Sequence, residues 1–150
     1  MAQGRFFEDF VLGETFALPS RTLSESHFLL FAAITGDNHP IHYDREYCRA
    51  RGLPERLAHG YLVTIQTVLG ASPLSPLLHE SIVAFLEQSS RFLKPVFVGD
   101  TLYPRLTVAE LTPRRTTGVV KFRATVHNQH EELVLEGHHA YLLKKRSPQA

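Results

Sequence analysis

A short helix that is apolar on nearly every side limits the possible folds of this chain more than any other segment. Residues from about Gly60 to Leu69 are predicted to form it, and its large apolar side chains are Leu62, Val63, Ile65, Val68 and Leu69. On a helical period these side chains leave almost no polar face, so little of the helix can contact water. We therefore expect a large apolar surface elsewhere in the chain to wrap around it.

The second half of the chain supplies that surface as a series of strands. Apolar and polar residues alternate over 101–108 and again over 120–127, which is typical of antiparallel strands with one buried face. The segment 109–111 breaks the alternation, which predicts a bulge or the end of a strand. Residues 82–92 and 133–144 are also strand-like, and the latter segment is apolar enough on both faces to be a central strand.

The first half of the chain is helical instead. A helix is predicted from Ser24 to Thr35, with Ser24 or Thr22 as its cap, a capping-box spacing between Thr22 and Glu25, and Gly36 placed to end it. A second, exposed helix is expected over 44–51. Helices in one half and strands in the other indicate an α+β fold, and we expect a curled antiparallel sheet around the buried helix.

Composition places this 150-residue chain among ordinary globular domains, because it is 43% hydrophobic and 21% charged. The net charge of +1 shows no basic excess of the kind that nucleic-acid binders use. Cys48 is the single cysteine, which excludes an intramolecular disulfide and Cys-rich zinc modules. The apolar runs are too short to span a bilayer, and the N-terminus has no signal-peptide core. We expect one domain over residues 1–150, in the cytoplasm, with neither nucleic acid nor a membrane as a partner.

Four polar residues gather on the loop after the first helix and just before the apolar one: Asp37, His39, His42 and His59. Three interpretations are open. The grouping can arise by chance, because the chain has nine histidines. A zinc site would suit the His39-x-x-His42 spacing, but Pro40 interrupts that spacing and the chain has no helical His-Glu-x-x-His motif. The third interpretation is acid/base chemistry.

Acid/base chemistry would use Asp37 and His42. Histidine exchanges protons near neutral pH, and a neighbouring aspartate can orient the imidazole and share a water molecule with it. Gly36 and Pro40 stiffen the bend that holds the two side chains. Gly60 has no side chain and opens the apolar helix, where free N–H groups and the positive end of the helix dipole face outward. A substrate carbonyl can approach such an N–H closely, which suits addition or elimination next to a thioester.

Two sequence blocks around these residues are distinctive. The segment from Phe31 to His42 reads FAAITGDNHPIH, and Ala58-His59-Gly60 follows it. Weaker motifs lie at 6–14, 92–96 and 99–102. Together these segments resemble the MaoC-like (R)-specific enoyl-CoA hydratase/dehydratase family of hotdog-fold proteins, and the resemblance extends over nearly the whole chain.

The resemblance implies a hotdog fold and a homodimer or higher homo-oligomer in which the sheets join edge to edge. It also implies a hydratase/dehydratase that interconverts trans-2-enoyl and (R)-3-hydroxyacyl thioesters of CoA or an acyl carrier, as in fatty acid metabolism. Asp37 and His42 would be the acid/base pair of this enzyme, and Gly60 would supply the oxyanion N–H. We expect no cofactor and no metal.

Four further residues are candidate substrate contacts: His39, His59, Phe31 and Leu62. Core packing is the alternative role for Phe31 and Leu62. The family usually has asparagine where this chain has His39. The contacts by which that asparagine braces the loop are therefore not assured here, and His39 is expected to change the acidity of the site or its choice of substrate.

Two other functions stay open. A hotdog acyl-CoA thioesterase shares the fold but usually carries a carboxylate on the central helix, where this chain offers Thr64, Gln66 and Thr67. A non-catalytic acyl-thioester binding subunit would bind CoA without turnover, and the presence of both Asp37 and His42 argues against it.

Overall fold

One antiparallel sheet of six strands organises the molecule. The computed structural model describes residues 3–147, so residues 1, 2 and 148–150 of the expected domain lie outside the described part. The strands are β1 Thr15–Ala17, β2 Arg21–Thr22, β3 Ile82–Phe92, β4 Thr101–Pro113, β5 Thr117–His127 and β6 Leu133–Lys144. Their order across the sheet is β1-β4-β5-β6-β3, and β2 pairs with the start of β4.

The helices all precede β3. They are α1 Glu25–Thr35, α2 Arg45–Ala50 and α3 Gly60–Thr64. Single 3-10 turns lie at Phe7–Asp9, Pro40–His42, Ile65–Thr67, Leu69–Ala71 and Ser75–Leu77. Helices in one half and strands in the other confirm the α+β prediction. Within residues 3–147 no helix has the length and apolar character needed to cross a bilayer.

The strand predictions are confirmed, including the interruption near residue 109. β3 and β6 have the predicted bounds, and β6 is central because it pairs with β5 on one side and β3 on the other. The β4–β5 register shifts between Val108 and Glu110, so a bulge accommodates the broken alternation and the strand continues. The strands β1 and β2, with three and two residues, carry too short a pattern to be predicted.

The predicted cap of α1 is right for Ser24 and wrong for Thr22. Ser24 is the N-cap residue, and its backbone N–H donates to His27 Nδ1 at 2.9 Å. Thr22 belongs to β2 instead, and its hydroxyl lies 2.7 Å from that of Thr101 on β4. Glu25, the other half of the predicted capping box, bonds Arg56. Pairing with β4 therefore takes Thr22 away from the helix.

The apolar helix is shorter and less enclosed than predicted. The α-helix ends at Thr64, a 3-10 turn follows, and Val68 is extended. Side chains take part in this change, because the Thr67 hydroxyl donates to the Thr64 carbonyl at 2.6 Å. Leu62 and Val63 are buried, but Ile65 and Val68 are 44% and 45% exposed. The sheet therefore covers only one side of this segment within a single chain.

Two clusters of buried side chains form the core. One packs the N-terminal turn and the 3-10 segments near 69–78 against the middle of β4 and β5 and the end of β6. The other packs α1 and α3 against the start of β4, the end of β5 and the start of β6, and it contains Phe28, Phe31, Leu62 and Val63. The second cluster holds the C-terminal part of α1 close to the start of α3, which brings together the two loops that carry the candidate residues.

His139 on β6 is a buried imidazole away from these loops, with 4% exposure. The Thr67 hydroxyl donates to Thr64, so it accepts from His139 Nε2–H at 3.2 Å. Burial, and then the charge of the neighbouring His138, lower the pKa of His139.

This lowered pKa predicts a loss of stability in acid. The folded state binds a proton at His139 less readily than the unfolded state does. The free energy of unfolding therefore does not depend on this group above about pH 6.5, and it falls as the pH drops below that value. Urea unfolding at about pH 7.5 and about pH 5.5 measures the effect. His139→Gln should flatten the pH dependence and the exposed control His79→Gln should not. Equal slopes in the two variants would contradict the prediction.

Candidate active site

A tight bend after α1 carries the first candidate residue. Gly36 ends the helix in the left-handed region with φ 75°, a conformation that favours glycine, and its N–H donates to the Ala32 carbonyl at 2.8 Å. The Asp37 N–H then donates to the Thr35 hydroxyl at 3.2 Å. Pro40 begins the 3-10 turn that ends at His42. The prediction that Gly36 ends the helix and that Pro40 lies in the bend is confirmed.

His39 braces this bend with its own ring. Its Nδ1 accepts the Ile41 N–H at 3.2 Å, so the imidazole caps the 3-10 turn. Its backbone N–H donates to Asp37 Oδ1 at 3.3 Å. An asparagine side chain caps a turn in the same way, by accepting an N–H two residues further along. The imidazole therefore provides the bracing contact that was in question at this position.

His42 is held in one orientation by a backbone carbonyl. Its Nδ1 lies 2.6 Å from the Leu57 carbonyl oxygen. Because a carbonyl only accepts, Nδ1 carries the proton and the Nε2 lone pair of the neutral ring is free. That Nε2 faces Asp37 Oδ2 across 3.8 Å. This gap is too long for a direct hydrogen bond, and a water oxygen bonded to both groups would close it.

The two members of the pair differ in their contact with solvent. The His42 side chain is 11% exposed, whereas that of Asp37 is 46% exposed. The imidazole is therefore fixed by its surroundings, while the carboxylate remains open to water. This asymmetry suits a pair that takes water from solvent and orients it against a rigid base.

His59 lies flat against His42. The two rings stack with centroids 3.7 Å apart and planes 21° apart. His59 is buried at 2% exposure, and its Nε2 lies 2.8 Å from the Tyr43 hydroxyl. Burial lowers the pKa of His59, the charge of His42 lowers it further, and Asp37 opposes both. Burial thus favours the neutral form of the ring that lies under His42.

Gly60 presents a free amide at the edge of a cavity. Across the described part of the chain, no acceptor takes its N–H. A cavity of about 300 Å³ opens beside it, bounded by Leu57, Ala58, Val63, Val96 and the Phe92 ring. A second space of about 440 Å³ shares Gly60 and Phe92. A Cβ at position 60 would lie 3.1 Å from Phe92 Cζ, so a larger residue would crowd the ring.

The ligand atoms of Asp37, His42 and His59 lie within 4.8 Å of one another, as a metal site requires. The geometry does not favour one. Stacked parallel rings direct their in-plane lone pairs side by side and not toward a common point. Two ring nitrogens also have protein partners, the Leu57 carbonyl and the Tyr43 hydroxyl. The arrangement fits proton transfer better than metal ligation.

The structure brings five predicted site residues to the two adjoining loops: Asp37, His39, His42, His59 and Gly60. Phe31 and Leu62 are buried in the core cluster around α1 and α3, although the Phe31 ring also packs on His59 at 4.6 Å. Substrate contact by His39, His59, Phe31 and Leu62 stays a prediction.

Sequence reasoning missed Tyr43 and Phe92. The Tyr43 hydroxyl reaches both His59 and the Asp37 carbonyl, and the Phe92 ring lies beside Gly60. Tyr43 stands directly after His42 in the sequence, but nothing local shows where its hydroxyl points. Phe92 ends a strand that is distant in sequence from Gly60.

Similarity to known proteins shows the family of this chain. The MaoC like domain family matches residues 9–130, and the chain belongs to it. An (R)-specific enoyl-CoA hydratase of Rhodospirillum rubrum is 31% identical over 143 residues, which cover 94% of this chain and 93% of the relative.

Solved structures agree on the fold. A monoamine oxidase regulatory protein from Archaeoglobus superposes with a TM-score of 0.89 and 31% identity, covering 97% of each chain. A Mycobacterium tuberculosis protein with a double hotdog fold matches with a TM-score of 0.81 and 29% identity, over 98% of this chain and 46% of that one. The protein therefore has the hotdog fold that the sequence predicted.

The cap formed by His39 leads to a stability prediction. His39→Ala removes the acceptor of the Ile41 N–H and should lower the free energy of unfolding by about 1 kcal/mol. His39→Asn restores an acceptor and should stay within about 0.3 kcal/mol of the parent. Urea unfolding near neutral pH measures both. Equal losses in the two variants would show that the ring does not act as a cap.

Proposed function

We propose that this protein is a hydratase/dehydratase that interconverts trans-2-enoyl and (R)-3-hydroxyacyl thioesters of CoA or an acyl carrier. Membership of the MaoC-like family supports the proposal, as does the relative named as an (R)-specific enoyl-CoA hydratase. The observation that carries it is the placement of His42 Nε2, which has its lone pair free and lies 3.8 Å from Asp37 Oδ2, so that one water molecule can hydrogen-bond to both groups. Asp37, His42 and Gly60 are the proposed catalytic residues.

In the hydration direction, water binds between Asp37 and His42. One of these groups takes a proton from the water as its oxygen forms a bond to C3 of the enoyl thioester. The π electrons move toward the thioester carbonyl, whose oxygen gains negative charge and accepts the Gly60 N–H. A proton from the pair then bonds to C2 on the same face, so one water molecule has been added. Dehydration of the (R)-3-hydroxyacyl thioester reverses these steps.

The loop that anchors His42 also carries the proposed oxyanion donor. Leu57 holds the imidazole, His59 stacks on it, and Gly60 is the next residue. Gly60 is exposed and lines the cavity that would receive the thioester. A single rigid loop would therefore set the spacing between the base and the oxyanion donor, which limits the reorganisation needed during the reaction.

A homodimer belongs to the same proposal. The outer edge of β3 carries exposed apolar residues, among them Val83, Phe85 and Leu86, whereas a free edge is usually protected by charge. Ile65 and Val68 of the segment after α3 are half-exposed as well. Pairing of two β3 edges would cover this surface. Sedimentation equilibrium should give twice 17.0 kDa, and a mass of one chain would contradict the dimer.

A cytoplasmic location and a role in fatty acid metabolism are further parts of the proposal.

The proposed activity is tested by loss of the conjugated absorbance of crotonyl-CoA and longer enoyl-CoAs. Asp37→Asn and His42→Ala should each lower kcat by at least about a hundredfold, because each removes a proton-transfer group. Asp44→Asn is the matched control, because the Asp44 carboxylate caps α2 by accepting the Tyr47 N–H and asparagine caps equally well. Urea unfolding checks that all three variants fold.

Thiol release and binding of enoyl-CoA, measured beside the absorbance, separate the alternatives. A thioesterase would release free thiol from saturated acyl-CoA. A non-catalytic subunit would bind enoyl-CoA and leave its absorbance unchanged. A folded wild-type protein that is inert toward every enoyl thioester tested, or an Asp37→Asn variant with full activity, would refute the proposed function.

The oxyanion role of Gly60 makes a separate prediction. In Gly60→Ala the new methyl group crowds the Phe92 ring and narrows the approach to the N–H, so kcat/KM should fall by about tenfold or more. Gly70→Ala is the control, because a Cβ there meets no atom within 4 Å. Unchanged kcat/KM in Gly60→Ala would contradict the prediction that access to the Gly60 N–H limits the reaction.

A further inference from the structure

The Tyr43 hydroxyl lies among three polar groups behind the proposed catalytic pair. It is 2.9 Å from the Asp37 carbonyl oxygen, 3.3 Å from the Phe28 carbonyl oxygen and 2.8 Å from His59 Nε2. A hydroxyl has one proton to donate, and carbonyl oxygens can only accept. If that proton went to His59, two oxygens 2.9 Å apart would face each other with no proton between them. The Tyr43 proton therefore belongs to the Asp37 carbonyl.

This assignment determines the tautomer of His59. With the Tyr43 proton directed to Asp37, His59 Nε2 must carry a proton and donate it to the Tyr43 oxygen. His59 Nδ1 is buried and has no hydrogen-bond partner in the described residues. The single proton of the neutral ring thus sits on the nitrogen that has an acceptor. The result is a directed chain from His59 Nε2–H to the Tyr43 hydroxyl and on to the Asp37 carbonyl.

We propose that Tyr43 and His59 are positioning residues, and that this chain of hydrogen bonds fixes the Asp37 backbone and keeps the ring beneath His42 in its neutral Nε2–H form. The proposal rests on the proposed hydratase/dehydratase function. It gives His59 a part other than direct contact with substrate. Neither residue touches the reacting atoms; both act through Asp37 and His42.

The chain of hydrogen bonds contacts both members of the proposed catalytic pair on the side away from their reacting atoms. At one end it binds the carbonyl of Asp37, the residue whose carboxylate faces His42 Nε2. At the other end it fixes the plane of His59, on which the His42 ring is stacked. Phe28 and Phe31 close the remaining sides of the His59 ring, at centroid distances of 5.7 Å and 4.6 Å. A change at Tyr43 therefore reaches both groups.

Neutrality of His59 matters during the reaction. When His42 takes a proton, a second charged imidazole 3.7 Å away would oppose it. The burial of His59 lowers its pKa, and the hydrogen bond to Tyr43 uses its one proton. His42 can therefore take a proton without a charged imidazole beside it.

The test combines kinetics with the tautomer of His59. Tyr43→Phe should lower kcat by about tenfold with KM within about twofold, because geometry is lost and substrate binding is not. Tyr103→Phe is the matched control, since its half-exposed hydroxyl on β4 makes no hydrogen bond in residues 3–147. His59→Phe keeps a ring for stacking and removes both nitrogens. The double variant should be no slower than the slower single variant, as expected for residues that act in one chain.

Long-range ¹⁵N–¹H correlation spectra of the imidazoles report the tautomer without any turnover. His59→Phe identifies the His59 signals by their disappearance. The wild-type protein should show a neutral His59 with its proton on Nε2, and Tyr43→Phe should show a mixture of tautomers. A His59 proton on Nδ1, or a Tyr43→Phe enzyme with wild-type kcat, would overturn the proposal. If the wild-type protein has no hydratase activity, the proposed function fails and the spectra alone decide the hydrogen-bond chain.

Discussion

The hydrogen bond from His42 Nδ1 to the Leu57 carbonyl joins the two loops on which the site is built. The loops are tied a second time by the Leu57 N–H, which donates to the Ile41 carbonyl at 3.0 Å. Leu57 also forms a bridge with Phe97, and the Ala58 N–H donates to the Val96 carbonyl at 2.7 Å. The bend after α1 is thereby connected to the segment between β3 and β4. Loops of this length would otherwise move independently, and the ties give the imidazole one position and one tautomer.

The two residues of the proposed catalytic pair differ in burial and therefore in the role each can have. A buried imidazole keeps its orientation because its neighbours leave it no alternative, while a half-exposed carboxylate keeps contact with the solvent that provides the reactant. His59 extends this division below the pair, since a buried neutral ring can support His42 without competing for its proton. His139 shows the same preference at a distance from the site. The lowered pKa of each ring predicts that protonation in acid favours the unfolded state, which is the expected consequence of burying an uncharged imidazole.

The sequence allowed prediction of the features that depend on local periodicity or on short motifs. The long strands β3 and β6 have the predicted bounds. Each carries enough alternating or apolar residues to favour a strand over a helix or a loop. The bulge near residue 109 was visible as a break in the same alternation. Among the site residues, Asp37, His39 and His42 share one bend, so their proximity follows from the chain itself. The sequence grouped His59 with these residues by position alone, and its stacking on His42 was not predicted because it depends on the two loops meeting.

The features that could not be predicted depend on contacts between distant segments. The α-helix stops at Thr64 because the polar side chains that follow bond to its carbonyls, although the apolar pattern continues to Leu69. Thr22 pairs with β4 in preference to capping α1, since a strand neighbour competes for it. Tyr43 contacts parts of three segments, namely α1, the bend and the loop before α3. No periodicity reports where such a hydroxyl points.

His39 shows how a departure from the family pattern can preserve the local structure and change its chemistry. The bend needs an acceptor for the Ile41 N–H, and an imidazole Nδ1 meets this need as an asparagine oxygen does. The ring is larger than the amide, and it also packs edge-on against Tyr47, whose own ring lies under the Arg51 guanidinium. The replacement therefore retains the geometry that holds Asp37 opposite His42 and adds an aromatic ring to the loop that maintains it.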